Sequence, residues 1–252
     1  MSPDFSKRSD GVEIMDDLTC TGEVVEQTLV ELEIINKWLG GNTVTLSGFN
    51  RLLSPKFGKR STVLKIADLG CGGGDMLKLL AAYFRKKGVK ADFTGIDANP
   101  TIIEFAKKKS KSFPEINYQT QNILSPDFQS AQYDIACATL FFHHFTTEQL
   151  REIFILLKRQ TTIGVVVNDL HRHWLAYYSI KFLTKFFSKS SMVKYDAPLS
   201  VLRGFSRKEL IEILQKAGIK NYTLKWKWAF RWQLIIPALP FGHPLAGKGH
   251  GG

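Results

Sequence analysis

The sequence has little cysteine and no long apolar run. Three cysteines occur in 252 residues without a CxxC spacing, which argues against a disulfide framework and a structural zinc site. No apolar run is as long as a membrane span, which needs about 18 residues. The polar N-terminus lacks the continuous apolar region of a signal peptide. We therefore expect a protein of a reducing, cytoplasmic compartment, without a membrane span or a leader.

Acidic residues are scarce in the last third of the chain. Residues 171–252 carry 14 basic and 3 acidic side chains and account for the excess behind the net charge of +11. Such an excess is typical of a face that meets an anionic membrane, an acidic ligand or nucleic acid, and equally of a solvated surface. Composition alone leaves these alternatives open.

Strand-like and helix-like segments alternate between residues 61 and 168. Apolar runs such as 63–68 and 133–139 each precede a helical pattern, which predicts parallel strands joined by crossover helices. Two final runs, 220–228 and 230–237, predict an antiparallel pair. The expected fold class is α/β, a doubly wound seven-stranded sheet that is mostly parallel, with the last strand antiparallel.

The pattern divides the chain into three parts: 1–60 as an N-terminal helical lid or platform, 61–236 as the main domain, and 237–252 as a tail. The main domain contains a helical insertion at 171–205, after the fifth strand, and we expect 195–205 to be irregular. Helices are expected to begin at caps that suit exposed amide groups. These caps are Asp75, Asn99, Thr146 and Ser206.

A glycine-rich loop, "ADLGCGGGDM" at 67–76, follows the first strand. Glycine permits close approach of a ligand to the backbone, and the next helix offers free amides. The loop lacks the lysine of a phosphate-binding P-loop, and Asp75 stands where a dinucleotide fingerprint has its third glycine. Asp68 and Asp75 favour a cationic ligand, while Asp97 can accept the hydroxyls of a ribose. The loop therefore predicts a cation-bearing nucleoside.

Three segments, "VLKIADLGCGGGDMLKLL", "FTGIDANPTIIEFAKK" and "YDIACATLFFHHF", resemble the motifs of class I S-adenosylmethionine (SAM)-dependent methyltransferases. Within that superfamily, "NDLHRHWLAYY" and "YDAPLSVLRGFS" resemble small-molecule enzymes of bacterial polyketide or quinone-like phenolic metabolism. The resemblance implies SAM as cofactor and S-adenosylhomocysteine (SAH) as its product. It implies these cofactor-binding residues: Asp68, Gly70, Cys71, Gly72, Asp75, Asp97, Ala98, Asn122, Ile123 and Thr139. Asn122 departs from the acid that the family commonly has there.

Histidines at strand ends are candidates for a catalytic base, which methyl transfer to a hydroxyl requires. We predict His171 as the base, oriented by Asp169, which alternatively pairs with Arg172. His144 follows the fourth strand and is expected to contact the cofactor or the acceptor, or to be a structural ring bonded to backbone. Expected acceptor-binding residues are His144, Arg172, Tyr178, Asp196 and Arg203, and no metal is predicted.

The predicted function is SAM-dependent methylation of a small, aromatic or lipophilic acceptor, with oxygen preferred over carbon. The alternatives are methylation of RNA or another nucleic acid, which the basic last third favours, and a non-catalytic cofactor-binding partner protein. Segment 171–190 combines aromatic residues with a lysine at every fourth position. It is expected to roof the acceptor pocket or to rest peripherally on the inner membrane surface, or simply to pack on one face.

Overall fold

The computed structural model describes residues 3–53 and 62–238, which contain one seven-stranded sheet. Its strands are β1 (Leu64–Leu69), β2 (Ala91–Asp97), β3 (Ile116–Thr120), β4 (Tyr133–Thr139), β5 (Thr161–Leu170), β6 (Thr223–Lys227) and β7 (Arg231–Pro237). Their order across the sheet is β3-β2-β1-β4-β5-β7-β6, and β7 alone runs antiparallel to its neighbours. The predicted fold class is confirmed.

Among the residues that the structure describes, eight α-helices accompany the sheet. They are α1 (Glu23–Trp38), α2 (Gly41–Leu52), α3 (Asp75–Lys86), α4 (Pro100–Lys109), α5 (Thr147–Gln160), α6 (Trp174–Phe187), α7 (Ser191–Arg203) and α8 (Arg207–Lys216). Neighbouring residues of a strand face opposite layers, as Val165 and Val166 of β5 do. One layer packs against α5 and α8, and the other against α2 and α3. Within the described ranges, no helix is long and apolar enough to cross a bilayer.

Local capping chemistry sets most helix starts. Asn99 accepts hydrogen bonds from the amides of Thr101 and Ile102, and Thr146 and Ser206 each form a reciprocal capping box. The prediction for Asp75 is wrong, because Gly74 is the N-cap of α3 and adopts a left-handed φ of 74°. That turn makes Asp75 the first helical residue instead of the cap.

The N-terminal segment packs closely on the main sheet. Gly40 adopts a left-handed φ of 71°, which ends α1 and lets α2 begin at once. Phe49 and Leu52 of α2 join the core beneath β5 and β7. The proposed boundary at residue 60 falls within 54–61, outside the described residues, as do 239–252 of the predicted tail, so the division into domains stays a prediction.

The expectation of an irregular segment at 195–205 is wrong, because α7 extends through most of it with Pro198 inside the helix. Ser190 caps α7, and the Glu31 carboxylate of α1 accepts the Lys189 and Ser190 amides. The Asp196 carboxylate accepts the backbone amides of the N-terminal 3-10 turn at 14–16. Tertiary contacts thus stabilise a helix that proline disfavours.

Candidate active site

A large cavity lies at the carboxyl ends of the parallel strands. Its volume is about 880 Å³, and its walls come from the glycine loop after β1, the end of β4, α1, and the inner faces of α6 and α7. Strand order reverses beside β1, which is where open α/β sheets bind ligands. The volume lies near the upper end of the range for small-molecule sites and leaves room for a nucleoside and a second molecule.

The glycine loop forms a bare cradle on one side of this cavity. Gly72 adopts a φ of 51°, and a Cβ placed there would meet no atom closer than Leu29, at 3.7 Å. On the other side of the loop, a Cβ at Gly70 would overlap the ring of Phe141. The loop is therefore held from below by packing and left open above, where a ligand can lie against its peptide groups.

Three carboxyl groups surround the cradle: Asp68 is buried, and Asp75 and Asp97 are partly buried. None of them forms a salt bridge within the described ranges. Asp97 accepts the Gly72 amide at 3.3 Å and the Asn99 amide at 3.0 Å. Burial raises the pKa of Asp75 and Asp97, and burial with the two neighbouring acids raises the pKa of Asp68 to about 8. A ligand that carries positive charge would compensate this cluster, and SAM has both the charge and the ribose that Asp97 suits.

The structure brings all ten predicted cofactor residues to the cavity wall. Asn122, which departs from the family pattern, uses its side-chain oxygen to accept the Leu124 amide at 2.9 Å. Its amide nitrogen has no hydrogen bond in the described part of the chain. Individual roles in binding the cofactor stay predictions, but the set is contiguous in space.

Asp169 orients His143, so the prediction that it orients His171 or pairs with Arg172 is wrong. Its carboxylate accepts the Phe142 amide at 2.8 Å and contacts the His143 Nδ1 at 2.7 Å. This arrangement fixes the 3-10 turn 142–144 at the end of β4. Asp169 itself lies behind that turn and does not line the cavity.

His144 faces the cavity with its ring held by an acid. Its Nδ1 lies 2.6 Å from Asp16 Oδ1, and Arg203 binds both the Asp16 carboxylate and the His144 carbonyl oxygen. Burial opposes ionisation of Asp16, but the hydrogen bonds to His144 and Arg203 lower its pKa. His144 Nε2 has no hydrogen-bond partner in 3–53 or 62–238, so this nitrogen is available to a ligand.

Glu13 adds a second acid beside the two histidines. Ser200 donates a hydrogen bond to Glu13 at 2.7 Å, while the other Glu13 oxygen lies 3.7 Å from His143 Nε2 without a hydrogen bond. Burial raises the pKa of Glu13 to about 7. Glu13, His143 and His144 offer ligand atoms within 4.8 Å of one another, a spacing that could hold a metal ion. Because Asp16 and Asp169 already engage both Nδ1 atoms, hydrogen bonding accounts for the cluster equally well.

The other acceptor-site predictions divide clearly. Asp196 and Arg203 line the cavity, as His144 does, whereas Arg172, Tyr178 and the predicted base His171 do not. His171 accepts a hydrogen bond from Trp226 Nε1 at 3.2 Å, Arg172 pairs with Glu209, and Tyr178 lies exposed on the outer side of α6. These predictions fail because β5 continues to Leu170, two residues further than expected, and the β6–β7 turn covers its end.

Comparisons with known proteins agree with this geometry. A family model described as a methyltransferase domain matches residues 66–162. Carboxy-S-adenosyl-L-methionine synthase of Campylobacter jejuni is 26% identical over 192 residues, which are 67% of this chain and 74% of that protein. The enzyme of the same name from Helicobacter pylori is 24% identical over 175 residues, 65% of this chain and 71% of the relative.

Solved structures share the fold at low sequence identity. The plantazolicin methyltransferase BpumL in complex with SAH is similar with a TM-score of 0.58 and 17% identity, over 85% of this chain and 99% of that one. Human N-acetylserotonin methyltransferase in complex with SAM has a TM-score of 0.58 and 13% identity, over 85% and 55%. Residues 66–162 thus match a methyltransferase domain, and the described residues share the fold of these SAH- and SAM-bound methyltransferases. Together with the related SAM-named enzymes, this match identifies the chain as a SAM-dependent enzyme rather than a non-catalytic partner protein.

Proposed function

We propose that this enzyme transfers a methyl group from SAM to a hydroxyl oxygen of a small, largely apolar acceptor, with His144 as the general base. The observation that carries the proposal is the His144–Asp16 pair, which lies in the same cavity as the glycine loop. Asp16 accepts a hydrogen bond from the Nδ1–H group of the neutral His144 ring, so that Nε2, the nitrogen toward the cavity, carries no proton.

The chain's own groups divide the work of binding and proton transfer. Asp97 has lone pairs left for the two ribose hydroxyls, and Asp68 and Asp75 balance the positive charge of the nucleoside. When bound, SAM supplies a methyl group on a sulfonium sulfur, and the carbon–sulfur electron pair remains on sulfur as the acceptor oxygen bonds to carbon. His144 takes the hydroxyl proton, and the Asp16 carboxylate, which Arg203 holds in place, stabilises the resulting imidazolium.

The wall opposite the glycine loop supports a lipophilic or aromatic acceptor. It consists of apolar side chains from α6 and α7, among them Leu175, Ile180, Leu183, Val193 and Val201. Such a wall gains free energy by covering apolar surface of a ligand and offers few partners to a sugar or a nucleic-acid base. It therefore argues against RNA as the acceptor.

Methyl transfer from labelled SAM to a panel of phenols, quinols and hydroxylated lipids tests the proposal, with products identified by mass spectrometry and NMR. His144→Gln should lower kcat by about 100-fold to 10,000-fold, with SAM affinity preserved. His171→Gln is the matched control and should retain activity, because that ring lies outside the cavity.

Three results would contradict the proposal. Unchanged turnover of His144→Gln would remove the base. A methyl group found on carbon would exclude oxygen as the acceptor atom. A carboxylated nucleoside product, such as the names of the Campylobacter and Helicobacter relatives describe, would replace methyl transfer altogether.

We also propose that the outer face of α6 rests on an anionic membrane surface, the inner leaflet of a cytoplasmic membrane. Four aromatic side chains recur at every fourth position and are exposed, Trp174, Tyr178, Phe182 and Phe186. Lys181, Lys185 and Lys189 lie along the same helix and its end, and the chain has a net charge of +11. Aromatic residues beside lysines suit the boundary of a bilayer with anionic head groups. Because the inner face of α6 lines the cavity, a lipophilic acceptor would have a short path into it.

Sedimentation with vesicles tests this contact. The protein should bind phosphatidylcholine vesicles that contain phosphatidylglycerol more strongly than pure phosphatidylcholine vesicles, and Phe182→Ser/Phe186→Ser should abolish the binding. Val63→Ser, an exposed apolar residue at the amino end of β1, is the control and should bind as wild type does. Equal binding by the double variant, equal binding to neutral vesicles, or dimerisation through these phenylalanines would overturn the proposal.

A further inference from the structure

Arg231 is a buried cation with two unpaired nitrogens among the residues that the structure describes. The residue opens β7, is 2% exposed, and lines the cavity. Its Nε and Nη1 atoms have no hydrogen-bond partner in the described part of the chain. Burying a guanidinium group without a hydrogen-bonded anion is unfavourable by several kcal/mol. An unpaired guanidinium group at a cavity wall points to a ligand that supplies the missing hydrogen-bond acceptors.

The surroundings of Arg231 favour an anion. Its guanidinium carbon lies 2.8 Å from the position that a Cβ on Gly41 would occupy, so the group sits against the first residue of α2. A helix N-terminus carries partial positive charge and unpaired amides, which repel a cation and attract an anion. Burial lowers the pKa of Arg231 to about 10, so the group is charged at neutral pH. Asp169 is the acid that acts on it electrostatically, and its carboxylate is already bonded to His143 and the Phe142 amide.

The position of β7 places this group on the acceptor side of the cavity. Across the sheet, β7 is three strands from β1 and four from β2. At about 4.8 Å per strand, the backbone of Arg231 lies roughly 14 Å from β1, the strand that carries the glycine loop, and further from Asp97 on β2. The Asn36 side-chain oxygen lies against the same Gly41 position as the guanidinium group and has no hydrogen-bond partner in the described residues, while the cavity wall as a whole is largely apolar.

We propose that Arg231, beside the N-terminus of α2, binds the carboxylate of the methyl acceptor, which is an aromatic or long-chain carboxylic acid with its apolar body under α6. The planar fork of arginine matches a carboxylate with two parallel hydrogen bonds. The inference rests on the proposed function, because it takes the second occupant of the cavity to be the methyl acceptor. It adds an anionic end to an acceptor that was so far described only as apolar.

Isothermal titration in the presence of SAH tests this subsite with two matched pairs of probes. The pairs are 4-hydroxybenzoate with 4-hydroxybenzamide, and dodecanoate with dodecanamide, which differ in charge but little in shape. Wild type should bind at least one acid about tenfold or more tightly than its amide. Arg231→Met should lose that preference without weakening amide binding, and Arg231→Lys should keep part of it. Arg151→Met, an exposed arginine on α5, is the matched control and should behave as wild type.

Each other outcome would overturn the inference. Equal affinity for acid and amide, no binding of either acid, or a preference that survives in Arg231→Met would show that no carboxylate subsite exists. Loss of SAH affinity in Arg231→Met would assign the group to the methionine carboxylate of the cofactor instead. Failure of the proposed function is distinguishable, because acid binding needs no turnover and should persist in His144→Gln.

Discussion

Replacing Asp68 with asparagine should stabilise the ligand-free protein and weaken its affinity for SAM. Asp68 is buried beneath the glycine loop, accepts a hydrogen bond from Cys137 Sγ at 3.4 Å, and has a pKa raised from 3.8 to about 8 by burial and by Asp75 and Asp97. A group whose pKa rises on folding stabilises the native state fully below its unfolded pKa. That contribution is lost as the pH rises toward the folded pKa, here between about 4 and 8.

The size of the effect follows from the pKa difference. Each pH unit above the unfolded pKa costs about 1.4 kcal/mol, so Asp68 lowers the free energy of unfolding by roughly 4 kcal/mol at pH 7. Asparagine keeps the shape and an acceptor for Cys137 but does not titrate. Asp68→Asn should therefore raise the melting temperature at pH 7 by roughly 8 to 16 °C for a domain of this size.

Thermal unfolding of both proteins from pH 4.5 to 8, with SAM titrations between pH 5.5 and 7, measures the two effects. The variant's advantage in the free energy of unfolding should grow as the pH rises, because only the wild type has an Asp68 carboxyl group whose ionisation destabilises the native state. Wild-type affinity for SAM should increase with pH, and the variant's affinity should be weaker and depend less on pH. A variant that is less stable at every pH, or that binds SAM as tightly as wild type does, would refute the reasoning.

Two further substitutions test the cradle and the base. Gly72→Ala forces a side chain to adopt a φ of 51°, which costs about 1 kcal/mol of stability, and fills the open cradle, so SAM affinity should fall. Gly88→Ala is the control, because Gly88 has a φ of 66° with open space around it. It should cost similar stability and leave SAM binding unchanged in calorimetry. Asp16→Asn should lower kcat by about tenfold or more, because the Nδ1 proton of His144 is no longer held by a carboxylate, and SAM affinity measured alongside should change by less than about twofold. Normal turnover of Asp16→Asn, or equal SAM affinity in both glycine variants, would contradict the site.

The fold could be predicted because its signals are local. The caps at Asn99, Thr146 and Ser206 and the alternation of apolar runs depend on residues within a few positions of each other, so they can be recognised in the sequence. The helix α7 could not be predicted in the same way. Proline at 198 argues against a helix, and the contacts that stabilise it come from Glu31 and the turn at 14–16, far away in the chain.

The site divides along the same line. The cofactor loop is contiguous in sequence, so its glycines and acids can be recognised as a binding loop from the sequence alone. The acceptor side is assembled from distant segments: Asp16 meets His144 across 128 positions, and Glu13 meets Ser200 across 187. Nothing in the pattern around Asp16 or Arg231 marks either residue as functional. The sequence favours His171 over His144 as the base because the length of β5 and the path of the β6–β7 turn are not encoded locally.

Calorimetric titration of SAM into wild type and Asp97→Ala tests most directly whether the nucleoside lies over the glycine loop with its ribose on Asp97. Loss of hydrogen bonds to a charged group should weaken binding by about 10-fold to 150-fold. Asp92→Ala, an exposed acid on the same strand, should bind SAM as wild type does. Unchanged SAM affinity in Asp97→Ala would contradict the account.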